Sequence, residues 1–233
     1  MSLFSRHQSL LSSGLFNGFT DCHSHILPGV DDGVREIGES LAILERYEAM
    51  GIKRVWLTPH VMEDFPNTPS DLRERFDQLR SAYKGNLELH LGAENMIDSL
   101  FEKRLEENDF LPMGEKADHL LVETSYFTPP YGFHDILEKV KSAGYYPILA
   151  HPERYVYMTS KDYDRLKEMK ILFQLNVFSL AGYYGPSVRK VAEYLLKKGY
   201  YNLAGSDIHT ITALDRWPSR PIGPKSLPDF PSL

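Results

Sequence analysis

The segment Asp21-Cys22-His23-Ser24-His25 places two imidazoles at alternate positions. On an extended strand, alternate side chains project to one face, so His23 and His25 can serve a single site. Alone, an H-x-H pair carries little weight. It gains weight because ligand-type residues recur where later apolar runs end, at Thr58-Pro59-His60, Gly92-Ala93-Glu94, Val122-Glu123-Thr124, Ala150-His151-Pro152-Glu153-Arg154, Gln174-Leu175-Asn176 and Gly205-Ser206-Asp207-Ile208-His209. Imidazole nitrogen mixed with carboxylate oxygen suits Mn, Fe or Zn, whereas a soft thiolate site needs cysteines. About nine such donors are too many for one tetrahedral ion, so two or three carboxylate-bridged ions are expected, with Glu123 the first choice of bridge.

A cysteine-based phosphoryl transfer is excluded by spacing. It requires an arginine six positions after the cysteine, and Pro28 stands there after Cys22. Strand alternation also sets Cys22 on the face opposite His23, which predicts a small packing residue.

These donors need a frame that brings distant segments to one edge. From Phe19 to Ser206, short β-branched or aromatic runs alternate with segments of helical period, the pattern of repeated β-α units around a parallel sheet. Seven strands are predicted, at 19–23, 54–58, 87–93, 119–123, 146–150, 172–176 and 201–204. Intervening helices show one apolar face, as in Ile37, Leu41, Leu44 and Met50, and Gly51, Gly144 and Gly199 read as helix stops. The turn after the first strand, His23 to Pro28, has no glycine-rich phosphate loop, which favours a barrel over a doubly wound nucleotide binder. In a parallel barrel the catalytic groups converge at the C-terminal edge of the strands. A single unit over residues 1–217 is expected, followed by an irregular tail at 218–233, where five of sixteen residues are Pro.

The net charge of −6 carries no basic run of the kind that neutralises nucleic-acid phosphates. No stretch approaches the about 20 apolar residues of a membrane span, and no long apolar core follows Arg6 as in a signal peptide. With one cysteine, these features predict a cytoplasmic protein that neither inserts into membranes nor takes nucleic acid as its main partner.

The ordered motifs Asp21-Cys-His-Ser-His25, Asp31-Asp32-Gly33, Thr58-Pro59-His60, Gly92-Ala93-Glu94, Val122-Glu123, Ala150-His151-Pro152-Glu153-Arg154 and Ser206-Asp207-Ile208-His209 resemble those of the polymerase-and-histidinol-phosphatase (PHP) superfamily. Within it, the chain is similar to bacterial protein-tyrosine phosphatases of capsule and exopolysaccharide regulation, from about Phe19 to about Arg216. The resemblance implies an α/β fold, a distorted seven-stranded TIM-like barrel, with a trinuclear site that usually uses manganese. Position by position it implies His23, His25, Asp32, His60, Glu94, Glu123, His151, Asp207 and His209 as ligands, with Arg154 and then Arg216 on the substrate phosphate. The family continues with helical sequence where this chain has its Pro-rich tail.

By residues alone, Asp31 is an alternative to Asp32, and Asp21 is a candidate for orienting a ligand. Tyr126, Phe127, Tyr131, Phe133, Tyr155, Tyr157, Tyr183 and Tyr184 fall on loops where they could frame a phosphotyrosine ring, whereas His7, His90, His119 and His134 lie outside the motifs. The expected activity is metal-assisted phosphomonoester hydrolysis by water of lowered pKa. The resemblance adds the substrate, phosphotyrosine on a protein such as a bacterial tyrosine kinase. A small-molecule phosphatase such as one for histidinol phosphate, or a non-catalytic metal-binding interaction module, are the rival readings.

Overall fold

The computed structural model describes residues 8–223 and 227–230. Expectations for residues 1–7, 224–226 and 231–233, namely His7, the start of the predicted unit and two parts of the tail, lie outside the described residues.

The chain runs β1 (Thr20–Asp21), α1 (Ile37–Met50), β2 (Arg54–Leu57), β3 (His60–Val61), α2 (Pro69–Ala82), β4 (Glu88–Leu91), β5 (Glu94–Met96), α3 (Phe101–Glu107), β6 (His119–Glu123), α4 (Phe133–Ser142) and β7 (Tyr146–Ala150). It continues through a 3-10 turn (Pro152–Arg154), α5 (Ser160–Glu168), β8 (Leu172–Asn176), α6 (Val177–Leu180), α7 (Pro186–Lys198), β9 (Leu203–Gly205) and α8 (Ile211–Arg216). Local chemistry sets the helix ends. The Thr68 hydroxyl accepts from Asp71 N with Pro69 in the first turn, so α2 starts there. Gly51 and Gly199 close α1 and α7 at φ 92° and 68°, where a Cβ would be strained. In α1 the buried positions are Ser40, Ile43, Leu44 and Tyr47, while Ile37 is exposed.

Every strand ladder among the described residues is parallel, in two sheets ordered β1-β2-β4 and β3-β5-β6-β7-β8-β9. The expected 119–123, 146–150 and 172–176 strands form as read. Two others are interrupted. Pro59, which has no N–H to donate, separates β2 from β3, and Gly92-Ala93 separates β4 from β5. The second ladder restarts where Glu94 N donates to Pro59 O at 3.1 Å. Between the sheets, Cys22 N donates to Ala204 O, Thr58 N to Ser24 O and Asp207 N to His23 O, at 3.1, 2.8 and 2.8 Å. The result is an α/β fold with parallel sheets curled into a half-barrel.

Strand alternation divides the core in two. Leu120, Val122, Leu149, Phe173 and Leu175 pack outward with helix residues such as Leu44, Leu72, Leu137, Leu166 and Leu195. The alternate residues Leu121, Ile148, Ala150 and Leu203 pack inward with Trp56, Met113 and Cys22. Cys22 is thus a packing residue, as expected, but on the concave side: regular pairing of its strand ends at Asp21, so the alternation that would turn it outward does not extend to it. Two residues beyond Leu121 on the same face stands Glu123, and two beyond Leu172 stands Gln174, so the inward apolar floor ends in polar groups at the C-terminal edge.

The described residues after 217, 218–223 and 227–230, are irregular but partly anchored. Ile222 is buried, its N–H donates to Gln8 O at 2.8 Å, and Pro221 forms an antiparallel bridge with Ser9. Among the described residues, no helix is long and apolar enough to cross a membrane.

Candidate metal centre

The strand ends bring the predicted donors together. Three groups have ligand atoms mutually within 4.8 Å: His25, Asp32, His60 and His209; His23, His25, Glu94 and Asp207; and His60, Glu94 and Glu123. His25 and His60 each belong to two groups, as does Glu94, so the groups are contiguous. Glu94 Oε2 lies 3.2, 3.3 and 3.1 Å from His23 Nε2, His25 Nε2 and His60 Nδ1, and its Oε1 lies 2.9 Å from His151 Nε2. The central carboxylate is therefore Glu94 rather than Glu123. It follows directly after the Gly92-Ala93 break, which turns it wholly inward. Glu123 flanks the cluster, with Oε1 3.0 Å from His60 Nδ1 and Oε2 3.8 Å from His151 Nε2.

The imidazoles are oriented from behind. His23 Nδ1 pairs with Gln174 Oε1 at 2.9 Å, and His25 Nδ1 with Asp31 Oδ2 at 2.8 Å, which leaves both Nε2 atoms facing the cluster. Asp31 also accepts from His60 N and Gly33 N, both at 3.0 Å, so it organises the loop while Asp32 supplies the cluster oxygen. Asp21 plays the analogous part for the backbone, accepting from His23 N at 3.2 Å, Ser206 N at 2.8 Å and the Tyr47 hydroxyl at 2.6 Å. His151 and Asp207 adopt left-handed backbone at φ 33° and 53°, a conformation that costs a non-glycine residue of order 1 kcal/mol and is retained where it aims a functional side chain.

Electrostatics make the cluster attractive to cations. Burial opposes charge on His23, yet Glu94 and Asp207 hold its pKa above the ordinary imidazole value. Burial acts likewise on His25, but Asp31, Asp207 and Glu94 hold it well above. Against burial and the neighbouring His25, Glu94 and Glu123 push His60 up to about 10. Burial would raise Glu94 and Asp207 too, and the surrounding imidazoles hold both well below the carboxylate range. A field that favours protons on these rings also favours a divalent ion in their place. The donors fit such ions on a further count: Glu94 Oε2, Glu123 Oε1 and His60 Nδ1 are buried with no aligned hydrogen bond among the described residues, although they lie close together. Buried polar atoms of this kind need a partner.

The family model for capsular polysaccharide synthesis, CpsB/CapC, matches residues 19–219. The chain belongs to the CpsB/CapC family. Relatives include the tyrosine-protein phosphatase YwqE of Bacillus subtilis, 27% identical over 197 residues, covering 82% of this chain and 77% of that one. The tyrosine-protein phosphatase CpsB of Streptococcus pneumoniae is 28% identical over 204 residues, covering 82% and 83%. A solved chain from crystal structures of YwqE and CpsB, described as unique metal-dependent tyrosine phosphatases, superposes with a TM-score of 0.74 at 26% identity, covering 83% of this chain and 80% of that one.

In this CpsB/CapC chain, Arg154 stands beside the cluster at the end of its 3-10 turn. Its Nη1 donates to Asp207 Oδ2 at 2.7 Å, and its guanidinium lies over the rings of Tyr126 and Tyr184 at 4.2 and 4.0 Å. Arg216 ends α8 exposed, over Trp217 at 5.4 Å, and makes no ion pair with the cluster among the described residues. The aromatic residues divide. Phe133 and Tyr155 are buried, Tyr157 bonds Thr124 at 2.6 Å, and Phe127, Tyr131 and Tyr183 are exposed. Of the histidines outside the motifs, His90 stacks on Trp56 and His119 sits beside Asp118, both away from the centre. Gln174 and Asn176 are marked in the sequence only as polar residues at a strand end, and Tyr184 only as a loop aromatic that could frame a phosphotyrosine ring.

Proposed function

We infer that this chain is a metal-dependent phosphatase that hydrolyses phosphotyrosine in protein, and that its substrate is a bacterial tyrosine kinase governing capsular or exopolysaccharide synthesis. The observation that carries the reading is the contiguous His/carboxylate cluster with Arg154 at its edge. The similarity to tyrosine-protein phosphatases over four-fifths of the chain supplies the substrate.

His23, His25, Asp32, His60, Glu94, Glu123, His151, Asp207 and His209 would hold two or three ions. Mixed imidazole and hard oxygen donors, with no thiolate, support Mn2+, with Fe or Zn as substitutes. Bound ions supply Lewis-acid stabilisation of the phosphoryl oxygens and acidify the attacking water. The chain's own groups do the rest. Gln174 and Asp31 fix which imidazole nitrogen faces the centre. Arg154 offers a planar fork to phosphate oxygens. Arg216 enters as a second phosphate contact through its position: the Trp217 ring it overlies packs on Tyr183, 4.9 Å away, which in turn packs on Tyr184 at 4.7 Å.

The same reading takes the fold as a seven-stranded ring in which β2 with β3, and β4 with β5, are two broken strands. The hydrogen bonds between the Cys22–Ser24 and Ala204–Ile208 segments support it. The catalytic unit extends through residue 217, with 218–233 an irregular extension, and the single cysteine supports a cytoplasmic setting.

The test is phosphate release from a phosphotyrosine peptide and from histidinol phosphate, each with manganese and with a chelator. Manganese-dependent release from the peptide is expected. Release from histidinol phosphate alone would overturn the substrate, and inactivity throughout would overturn the enzyme.

A further inference from the structure

Arginine faces the same problem as any long cationic side chain near a phosphate site: its four torsions must be fixed before its fork has directional value. Here the Arg154 guanidinium carbon lies 4.2 Å from the ring centroid of Tyr126, on the loop after β6, and 4.0 Å from that of Tyr184, on the loop after α6. The two loops are distant in sequence and belong to different strand ends. A guanidinium donates only within its own plane, so rings packed against it leave its N–H edge to set the direction of contact. One in-plane donor, Nη1, is used by Asp207 Oδ2, and among the described residues the Arg154 side chain makes no other hydrogen bond, so its remaining guanidinium N–H groups are uncommitted.

The tyrosines are themselves fixed. The Tyr184 hydroxyl donates to Asp207 Oδ2 at 3.0 Å and accepts from Asn176 Nδ2 at 2.9 Å, while Asn176 Nδ2 also donates to that Asp207 oxygen at 3.1 Å. Tyr126 packs against Tyr155 and His151, with ring centroids 6.1 and 5.8 Å away, and its carbonyl accepts from Val156 N at 2.9 Å. Asp207 thus divides its oxygens: Oδ1 faces His23 and His25 at 3.5 and 3.2 Å, whereas Oδ2 ties Arg154, Asn176 and Tyr184 together.

We propose that Tyr126 and Tyr184 are positioning residues that clamp Arg154 between their rings and aim its free N–H edge at the substrate phosphate. This rests on Arg154 being the phosphate contact. It assigns the two rings to the arginine and not to the phosphotyrosine ring, the role their loop positions suggested.

The test is a double-mutant cycle at saturating manganese, with an aromatic monoester (para-nitrophenyl phosphate) and an alkyl monoester (β-glycerophosphate) as probes, and bound metal measured for each variant. Tyr126→Ala and Tyr184→Ala are each expected to lower kcat/KM about tenfold, the scale of one desolvated cation–π contact, with KM raised and bound metal unchanged. The loss should be equal for the two esters. Tyr126→Phe should restore most of what Tyr126→Ala loses. In an Arg154→Ala background the same tyrosine changes should add nothing. Additive losses confined to the aromatic ester would overturn the clamp and return the rings to the substrate, and no loss in either Ala variant would also overturn it. If Arg154→Ala itself costs nothing, the phosphate role of Arg154 fails first and the clamp with it.

Discussion

His23 Nδ1 and Gln174 Oε1 lie 2.9 Å apart, and the Gln174 amide is held in turn, because its Nε2 donates to Leu175 O at 2.6 Å. A glutamine carbonyl accepts only, so the pair keeps a proton on His23 Nδ1 and turns Nε2, the nitrogen a metal ion would take, toward Glu94 and Asp207. An uncharged residue on β8, beyond the intervening β9, thereby orients the ring of a proposed ligand.

Gln174→Leu removes that acceptor while keeping bulk on the inward face of β8. The expected result is manganese affinity about 10–100-fold weaker, the usual effect of losing a partner behind a metal-bound imidazole. Calorimetric titration of the metal-stripped protein measures it. Unchanged affinity, with the fold intact by circular dichroism, would show that His23 needs no such orientation.

Gly205 ends β9 directly beside His23. A Cβ there would stand 2.6 Å from His23 Cβ and 2.7 Å from His23 N, too close for contact, and backbone cannot give way as a flexible side chain can. Gly205→Ala should cost about 1–3 kcal/mol, read as a melting temperature lower by about 3–10 °C, with phosphatase activity lost in proportion to displacement of His23. A variant that melts with the parent would contradict the close approach.

Cys22 is 1% exposed among Trp56, Met113, Leu121 and Ile148, and burial pushes its thiol up, away from the reactive thiolate. Cys22→Ser should lose about 1–3 kcal/mol of stability by placing a hydroxyl in an apolar cluster, yet keep kcat/KM within about twofold. Loss of turnover with metal and fold retained would restore a role for the thiol.

Much of the centre was legible because its donors are scarce residue types set at strand ends. His23, His25, His60, Glu94, Glu123, Asp207 and His209 needed only strand periodicity to be placed at one edge, and all of them, with Asp32, enter the three donor groups. What periodicity could not give was the exact centre. Pro59 and Gly92-Ala93 break two strands, and a break changes which way the following side chain turns, so Glu94 rather than Glu123 sits in the middle. Strand alternation did not place Cys22 because regular pairing of its own strand ends at Asp21. Nor could residue type reveal the supports. Gln174, Asn176 and Tyr184 act through neighbours contributed by remote strands, and that adjacency is a property of sheet order. The described tail residues 218–223 and 227–230 form no helix or ladder strand, and the docking of Ile222 on the N-terminal segment has no local signature.

Metal removal should be felt by the whole fold, because the carboxylates concerned are buried. Glu94 and Glu123 are essentially without exposure, and each leaves one oxygen without an aligned donor among the described residues. Ions that bind the native cluster and not the unfolded chain stabilise by mass action, by about 2.7 kcal/mol when free metal exceeds its Kd a hundredfold. For a chain of this size that is roughly 5–10 °C in melting temperature. Calorimetric melts of stripped protein, with and without manganese, should show the increment, and a chelator should reverse it together with phosphotyrosine hydrolysis. Glu94→Gln preserves shape but removes the charge shared by two donor groups, so its melting temperature should respond little to manganese. Equal melts with and without metal, alongside hydrolysis that survives the chelator, would dismiss the cluster as a metal centre and leave its buried carboxylates to be explained by their histidines alone.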